Sequence, residues 1–229
     1  MTSSAEGDPP AVAAVPWYQN PWVWGVLFGL VFIPLIRPLT RRVPAPPPVL
    51  GELPAFELVD ESGEPFTRED MAGDVWVVGF FFTECRTLCP RILAATTSLA
   101  DRYERNEVPV KMLLVSVDPA TDTPAVLKAK AEEMDLDLER WSLITGPDAD
   151  VRALVEGGFQ TAMGREIIDE ATGIVDIAHT EKLILVDWQG ALRGYYGIDE
   201  LGLDEVYHRS THVLRQMNQG GEASKSPGS

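Results

Sequence analysis

Residues 75–90 read VWVVGFFFTECRTLCP. The first eight are β-branched or aromatic apart from one glycine. Such an unbroken apolar run predicts a strand over Val75–Phe82 buried on both faces. Pro90 suits the first turn of a helix, where its missing N–H costs nothing, and Ile92, Leu93, Thr96 and Leu99 then share one side of a helix reaching about Arg105. Strand, loop and helix in that order are the first half of a βαβ unit. Outward from it, Lys111–Val117 (KMLLVSV) predicts a second buried strand. Thr123 and Pro124 supply an N-cap and first helical residue for a helix to about Met134. A short strand follows at Trp141–Ile144, then a helix from Asp148 to about Glu156. Lys182–Val186 and Ala191–Tyr195 pair across an Asp187–Gly190 turn, and Asp204 caps a last amphipathic helix to about Met217. On the N-terminal side, Phe56–Val59 and Glu64–Phe66 flank a turn at Asp60–Gly63, and Thr67–Asp70 has the pattern of a capped short helix. The fold expected is α/β: a mixed central sheet, parallel in the middle through right-handed crossovers, antiparallel at its margins, with helices on both faces.

The two cysteines of the chain, Cys85 and Cys89, both fall in the quoted stretch. They cannot build a disulfide scaffold or a four-thiolate zinc site. Placed at a helix N-terminus, both sulfurs feel its dipole and unpaired N–H groups, so thiol pKa values below the free value of about 8.5 are expected. Such a pair can cycle between dithiol and disulfide, bind a soft metal, or form a structural disulfide. Residue types alone leave all three open. A metal would need a third ligand. Of the three histidines, His179 lies at the mouth of the strand 182–186, whose end can approach the cysteine loop. Two thiolates and one imidazole suit copper. His208 and His212, four apart on the last helix, read as a solvated face, and Met112, Met134 and Met163 as core packing.

Lys and Arg number 19 against 35 Asp and Glu, a net charge of −16. That balance argues against nucleic-acid binding, which needs clustered cations. The organisation expected is a disordered tail (1–20), a transmembrane helix (21–39), a Pro-rich linker (40–50), one globular domain (51–217) and a flexible tail (218–229). The apolar run PWVWGVLFGLVFIPLI, 21–36, has Trp17, Tyr18, Trp22 and Trp24 at one end, like an interfacial aromatic belt. Arg37, Arg41 and Arg42 all follow the run, which by the positive-inside rule puts the C-terminal domain in the cytoplasm.

Four segments, in order, resemble the Sco/SenC family of membrane-tethered, thioredoxin-like copper proteins. They are Thr83-x-Cys85-x-x-x-Cys89-Pro90, Ser116-Val-Asp118-Pro119 with Thr121-Asp-Thr-Pro124, Leu143-Ile-Thr-Gly146, and Asp176…His179-Thr180. The resemblance implies a thioredoxin-like fold with an inserted hairpin. It implies a copper ion held by Cys85, Cys89 and His179, the two cysteines also being a redox pair, and places Asp118 at the family's acidic position beside the metal. The function implied is assembly of the copper A centre of cytochrome c oxidase, as metal donor or as reductant of the oxidase cysteines. The alternative is a membrane-anchored thiol–disulfide oxidoreductase acting on those cysteines or on peroxide. The partners implied are the copper A subunit, another copper chaperone or a cytochrome c. Copper delivery to that centre occurs outside the cytoplasmic membrane, so the resemblance puts the domain on the outer, periplasmic side, opposite to the charge rule. Two departures stand out: Arg86 occupies a position where the family often has Pro, and Asp176 is separated from His179 rather than adjacent to it.

Overall fold

The computed structural model describes residues 16–40, 45–85, 89–168, 175–179 and 181–225, with the backbone alone at 37–40, 164–168, 175–179 and 221–225. The chain divides into two units, Met1–Pro44 and Ala45–Ser229.

In the first unit, a short 3-10 turn at Trp17–Gln19 precedes helix α1, Pro21–Thr40. Asn20 starts the helix by accepting the Trp22 N–H on its side chain at 3.0 Å. Trp22, Trp24, Phe28, Leu30 and Val31 are all exposed. Among the described residues no helix is long and apolar enough to cross a membrane. A helix of 20 residues stands where a transmembrane helix was expected.

The second unit opens with β1 (Gly51–Glu52), β2 (Glu57–Asp60), β3 (Pro65–Thr67) and the single-turn α2 (Arg68–Met71). Thr67 and Asp70 form a reciprocal capping box on α2, and those hydrogen bonds hold the Asp70 carboxyl below its ordinary pKa. Then follow β4 (Val75–Phe81), α3 (Cys89–Arg105), β5 (Val110–Ser116), α4 (Pro124–Glu133), β6 (Trp141–Thr145) and α5 (Asp148–Arg152), which runs into a π-helical turn, Ala153–Gly158. The chain closes with β7 (Met163–Ile168), β8 (Val175–His179), β9 (Lys182–Val186), β10 (Ala191–Gly197) and α6 (Glu200–Lys225).

Eight strands form one mixed sheet in the order β1-β10-β9-β4-β5-β6-β2-β3. Its centre, β4, β5 and β6, is parallel. The β9 strand runs antiparallel to β4, and β10 to β9. All seven residues of β4 are buried, as an apolar run without alternation requires. Trp76, Phe80, Phe81, Leu113 and Leu114 are at most 2% exposed. The amphipathic α3 packs Ile92, Thr96, Leu99 and Tyr103 inward, against β4, β5 and α6.

The last helix and α5 differ from expectation at both ends. The last helix begins four residues before Asp204, at Glu200, because Asp199 is its cap: its carboxylate accepts the Gly202 N–H at 3.0 Å. A side chain at residue 202 would put its Cβ 2.2 Å from the Gly197 carbonyl, so glycine is what lets the helix start this close to β10. The same helix continues to Lys225, through eight of the twelve residues expected to be a flexible tail, since extending an established helix adds one bond per residue. The helix expected to reach Glu156 ends as α-helix at Arg152 and widens into the π turn. Its Asp148 lies inside the first turn rather than at the cap, which is Pro147.

Candidate metal centre

The quoted stretch folds into strand, loop and helix. Phe81 ends β4 opposite Ser116, the last residue of β5, and the Val117 N–H continues the ladder to the Phe81 carbonyl at 2.9 Å. Cys89 is the first residue of α3, and Pro90 follows within the first turn, where no i−4 acceptor is needed. Both cysteines are buried, Cys85 at 7% and Cys89 at 1% exposure, and neither is in a disulfide.

Backbone amides bring the sulfurs together. The Cys89 N–H donates to the Cys85 sulfur at 3.2 Å, and the Phe82 N–H donates to the Cys89 sulfur at 3.4 Å. Those N–H groups belong to the helix start and the strand end, so the dithiol is built across the junction. Burial nevertheless pushes the Cys89 thiol far above its ordinary pKa. Its hydrogen bond with Cys85 pushes the same way, and the Phe82 N–H only partly opposes them. The lowered pKa expected at a helix N-terminus is thus reversed at Cys89: desolvation of a sulfur at 1% exposure outweighs the dipole.

A buried carboxylate underlies the junction, and sequence reasoning passed over it. Asp122 is fully buried and receives the Ser116 hydroxyl at 2.5 Å, the Thr83 N–H at 3.2 Å from each of its oxygens, and the Thr83 hydroxyl. It joins the C-terminal ends of β4 and β5 directly beside the cysteines. Burial raises its carboxyl pKa, with the Ser116 and Thr83 hydrogen bonds acting against the rise. Asp118, the acidic residue singled out from the sequence, is half-buried. Its backbone carbonyl accepts the N–H groups of Thr121 and Asp122, and so turns the loop that delivers Asp122. The sequence signal for Asp122 was an acidic residue directly before an N-cap threonine, just after a buried strand.

His179 ends β8, and its backbone pairs with Met163 in a two-stranded sheet, the inserted hairpin. Val78 lies opposite Ile184, so β9 begins beside the C-terminal end of β4, three residues after His179. His179 thus lies three residues before the strand that pairs with β4. Its side chain and that of Asp176 lie outside the described residues, as does Arg86. Among the described residues no group of three or more His, Cys, Asp or Glu side chains forms a metal cage. Met112 and Met163 are core residues, and His208 lies on an exposed helix face 3.6 Å from Asp204.

Two soft sulfurs meet at one helix tip, shielded from water, and can be oxidised as a pair or joined by one more ligand around a soft ion.

Comparison with known proteins agrees with this arrangement. The chain is 26% identical over 184 residues, 80% of its length and 92% of the relative's, to the SCO1 protein homolog of Bacillus subtilis. It is 30% identical over 148 residues, 62% of the chain and 68% of the relative, to a Stutzerimonas stutzeri protein provisionally named as copper-binding. Among solved structures, a SCO1/SenC family lipoprotein from Bacillus anthracis matches with a TM-score of 0.64 and 26% identity, over 72% of this chain and 95% of that one. BsSco, described with a disulfide switch and as a member of the Sco family of cytochrome c oxidase assembly proteins, matches with a TM-score of 0.63 and 25% identity, over 74% and 98%. The mixed α/β fold with its flanking helices is the fold of these Sco structures. The SCO1/SenC family model matches residues 50–215, from the end of the linker to the last helix, and to that family the chain belongs.

Proposed function

We propose that this chain is a copper-binding assembly factor for the copper A centre of cytochrome c oxidase, with copper as its cargo. The observation that carries the reading is the convergence of the two sulfurs, with the Cys89 N–H on the Cys85 sulfur. Two thiolates give a soft, low-coordinate donor set, and an imidazole completes a three-ligand site for copper. Cys85, Cys89 and His179 would hold the ion. The family, the copper-binding name of one relative and the oxidase-assembly description of BsSco support the cargo and the destination. The copper A subunit is the partner that would take the ion, and another copper chaperone would supply it.

The test is copper stoichiometry and spectra of the wild type beside His179→Ala. One copper per wild-type chain is expected, with affinity at least tenfold lower in the variant. Equal uptake by both, or none by either, overturns the reading.

The disulfide switch of BsSco favours a second reading, in which the dithiol acts on the oxidase. Cys85 and Cys89 would form a disulfide while the oxidase disulfide becomes two thiols, so that two electrons and two protons pass to the partner.

The apolar segment 21–39 would attach the domain to the cytoplasmic membrane as a single anchor. The exposed Trp22, Trp24, Phe28 and Leu30 of α1 support attachment, as does the lipoprotein relative. The domain would face the periplasm, where the oxidase centre is built, although Arg37, Arg41 and Arg42 favour the opposite orientation. Alkaline phosphatase fused at the C-terminus should be active. Fusions that fluoresce only in the cytoplasm and lack phosphatase activity refute the placement.

A further inference from the structure

We propose that Asp122 is the positioning residue of the dithiol, acting through Thr83 and Phe82 to hold the two sulfurs at one junction. The inference deepens the reading above, since it concerns the same site, but its basis is the hydrogen-bond chain alone. Thr83 is the second residue past β4, and among the described residues no sheet partner holds it there: the β4 register with β5 ends at Phe81. Asp122 takes over, accepting both the backbone N–H and the hydroxyl of Thr83. Oδ2, which shares the Thr83 N–H, also accepts the Ser116 hydroxyl at the end of β5, so the carboxylate ties the free strand end to a fixed one. Phe82 is the residue between the ladder and this latch, and its N–H is the one on the Cys89 sulfur. The Val117 N–H on the Phe81 carbonyl holds the peptide that carries this N–H, and pinning Thr83 fixes Phe82 from its other side. The Cys89 N–H then sets the Cys85 sulfur. All six linked residues are buried or half-buried, so water does not compete for them.

The role asks for shape and hydrogen bonds rather than charge. Asparagine at 122 keeps an oxygen for Thr83 and offers an amide to Ser116, whose hydroxyl can turn to accept it. Alanine removes the latch.

The experiment compares wild type, Asp122→Asn, Asp122→Ala and Thr83→Val in the full chain. Two quantities are read: the equilibrium constant of the Cys85–Cys89 couple with glutathione, and the affinity for Cu(I) by competition. Thermal melts report whether each variant is folded. Loss of the latch lowers the effective concentration of one sulfur at the other. Asp122→Ala should therefore shift the glutathione equilibrium toward dithiol at least tenfold and weaken Cu(I) binding at least tenfold, a typical cost of losing support behind a ligand. Asp122→Asn should stay within threefold of wild type on both. Thr83→Val, which keeps the backbone arm only, should fall between them, and it decides the matter together with Asn if the alanine variant does not fold. A purely structural role would lower the melting temperature and leave both equilibria unmoved, which overturns the inference. So does an asparagine variant as impaired as alanine, which would make charge the operative property. If wild type takes up no copper while Asp122→Ala still shifts the glutathione equilibrium, the copper reading fails and the positioning role stands. If wild type binds copper and neither quantity moves in the variants, the reverse holds.

Discussion

Arg193→Ala should lower the unfolding free energy by about 3–5 kcal/mol, the range found when one member of a buried ion pair is removed. Arg193 and Asp187 are 5% and 0% exposed in their side chains, and Nε meets Oδ2 at 2.6 Å. The other carboxylate oxygen accepts the N–H groups of Gln189 and Ala191, which makes Asp187 the hub of the β9–β10 turn. The guanidinium also donates to the Pro47 carbonyl at 2.7 Å, across 146 residues. Alanine thus strands a desolvated carboxylate and a desolvated carbonyl together. It also loosens the segment that forms β1 on the β10 edge, where Leu50 and Leu53 donate to Leu192 and Gly190. Urea denaturation measures the loss. The double variant Arg193→Met, Asp187→Asn should lose less than Arg193→Ala, because no charge is left unpaired and the Asn oxygen still accepts the Gln189 and Ala191 N–H groups. A single-variant loss below about 1 kcal/mol, the range of an exposed pair, would show that water reaches the site.

That pair was invisible in the sequence for a general reason. Arg193 sits in a strand pattern and Asp187 in a turn pattern, and each alone reads as an ordinary solvated residue. What the sequence did carry were features decided by local chemistry. The runs VWVVGFFF and KMLLVSV announce strands buried on both faces, and they are the central parallel pair, β4 and β5. Pro90 and Pro124 mark helix starts within a residue or so. The β7–β8 hairpin lacks such a pattern. Its residues MGREII and VDIAH mix charged and apolar types without alternation, so only the family resemblance implied it. The site divides along the same line. That Cys85 and Cys89 meet at a helix start follows from spacing and Pro90. That Asp122 reaches the strand end depends on how the 118–122 loop turns back, which two backbone hydrogen bonds to the Asp118 carbonyl determine. The thiol ionisation was misjudged because sequence shows where a helix begins but not how deeply its first residue is buried.

Copper affinity should rise at least tenfold per pH unit between pH 6 and 8, given that Cys89 is a ligand and binds as thiolate, and any proton released from Cys85 steepens the rise. The sign follows from its raised pKa. Burial, and then the hydrogen bond with Cys85, keep Cys89 protonated across the whole of this window. Each ion that binds must displace that proton, so a tenfold fall in proton concentration favours the complex tenfold. A thiol with its pKa lowered by the helix dipole would already be ionised at pH 8 and would contribute no slope there. The neighbouring Asp122, itself held above its ordinary pKa, and Cys85 both raise the Cys89 pKa, so neither shortens the window. Protonated Cys89 is also a poor nucleophile, and its alkylation at pH 7 should lag free cysteine by more than about a hundredfold, because the thiolate is the reactive form. Copper competition titrations at fixed ionic strength, with mass-spectrometric mapping of the alkylated residue, test both. An affinity independent of pH, with Cys89 labelled as fast as free cysteine, would mean that the sulfur is ionised despite its burial. The site would then hold its ion ready-charged, instead of exchanging a proton for a metal.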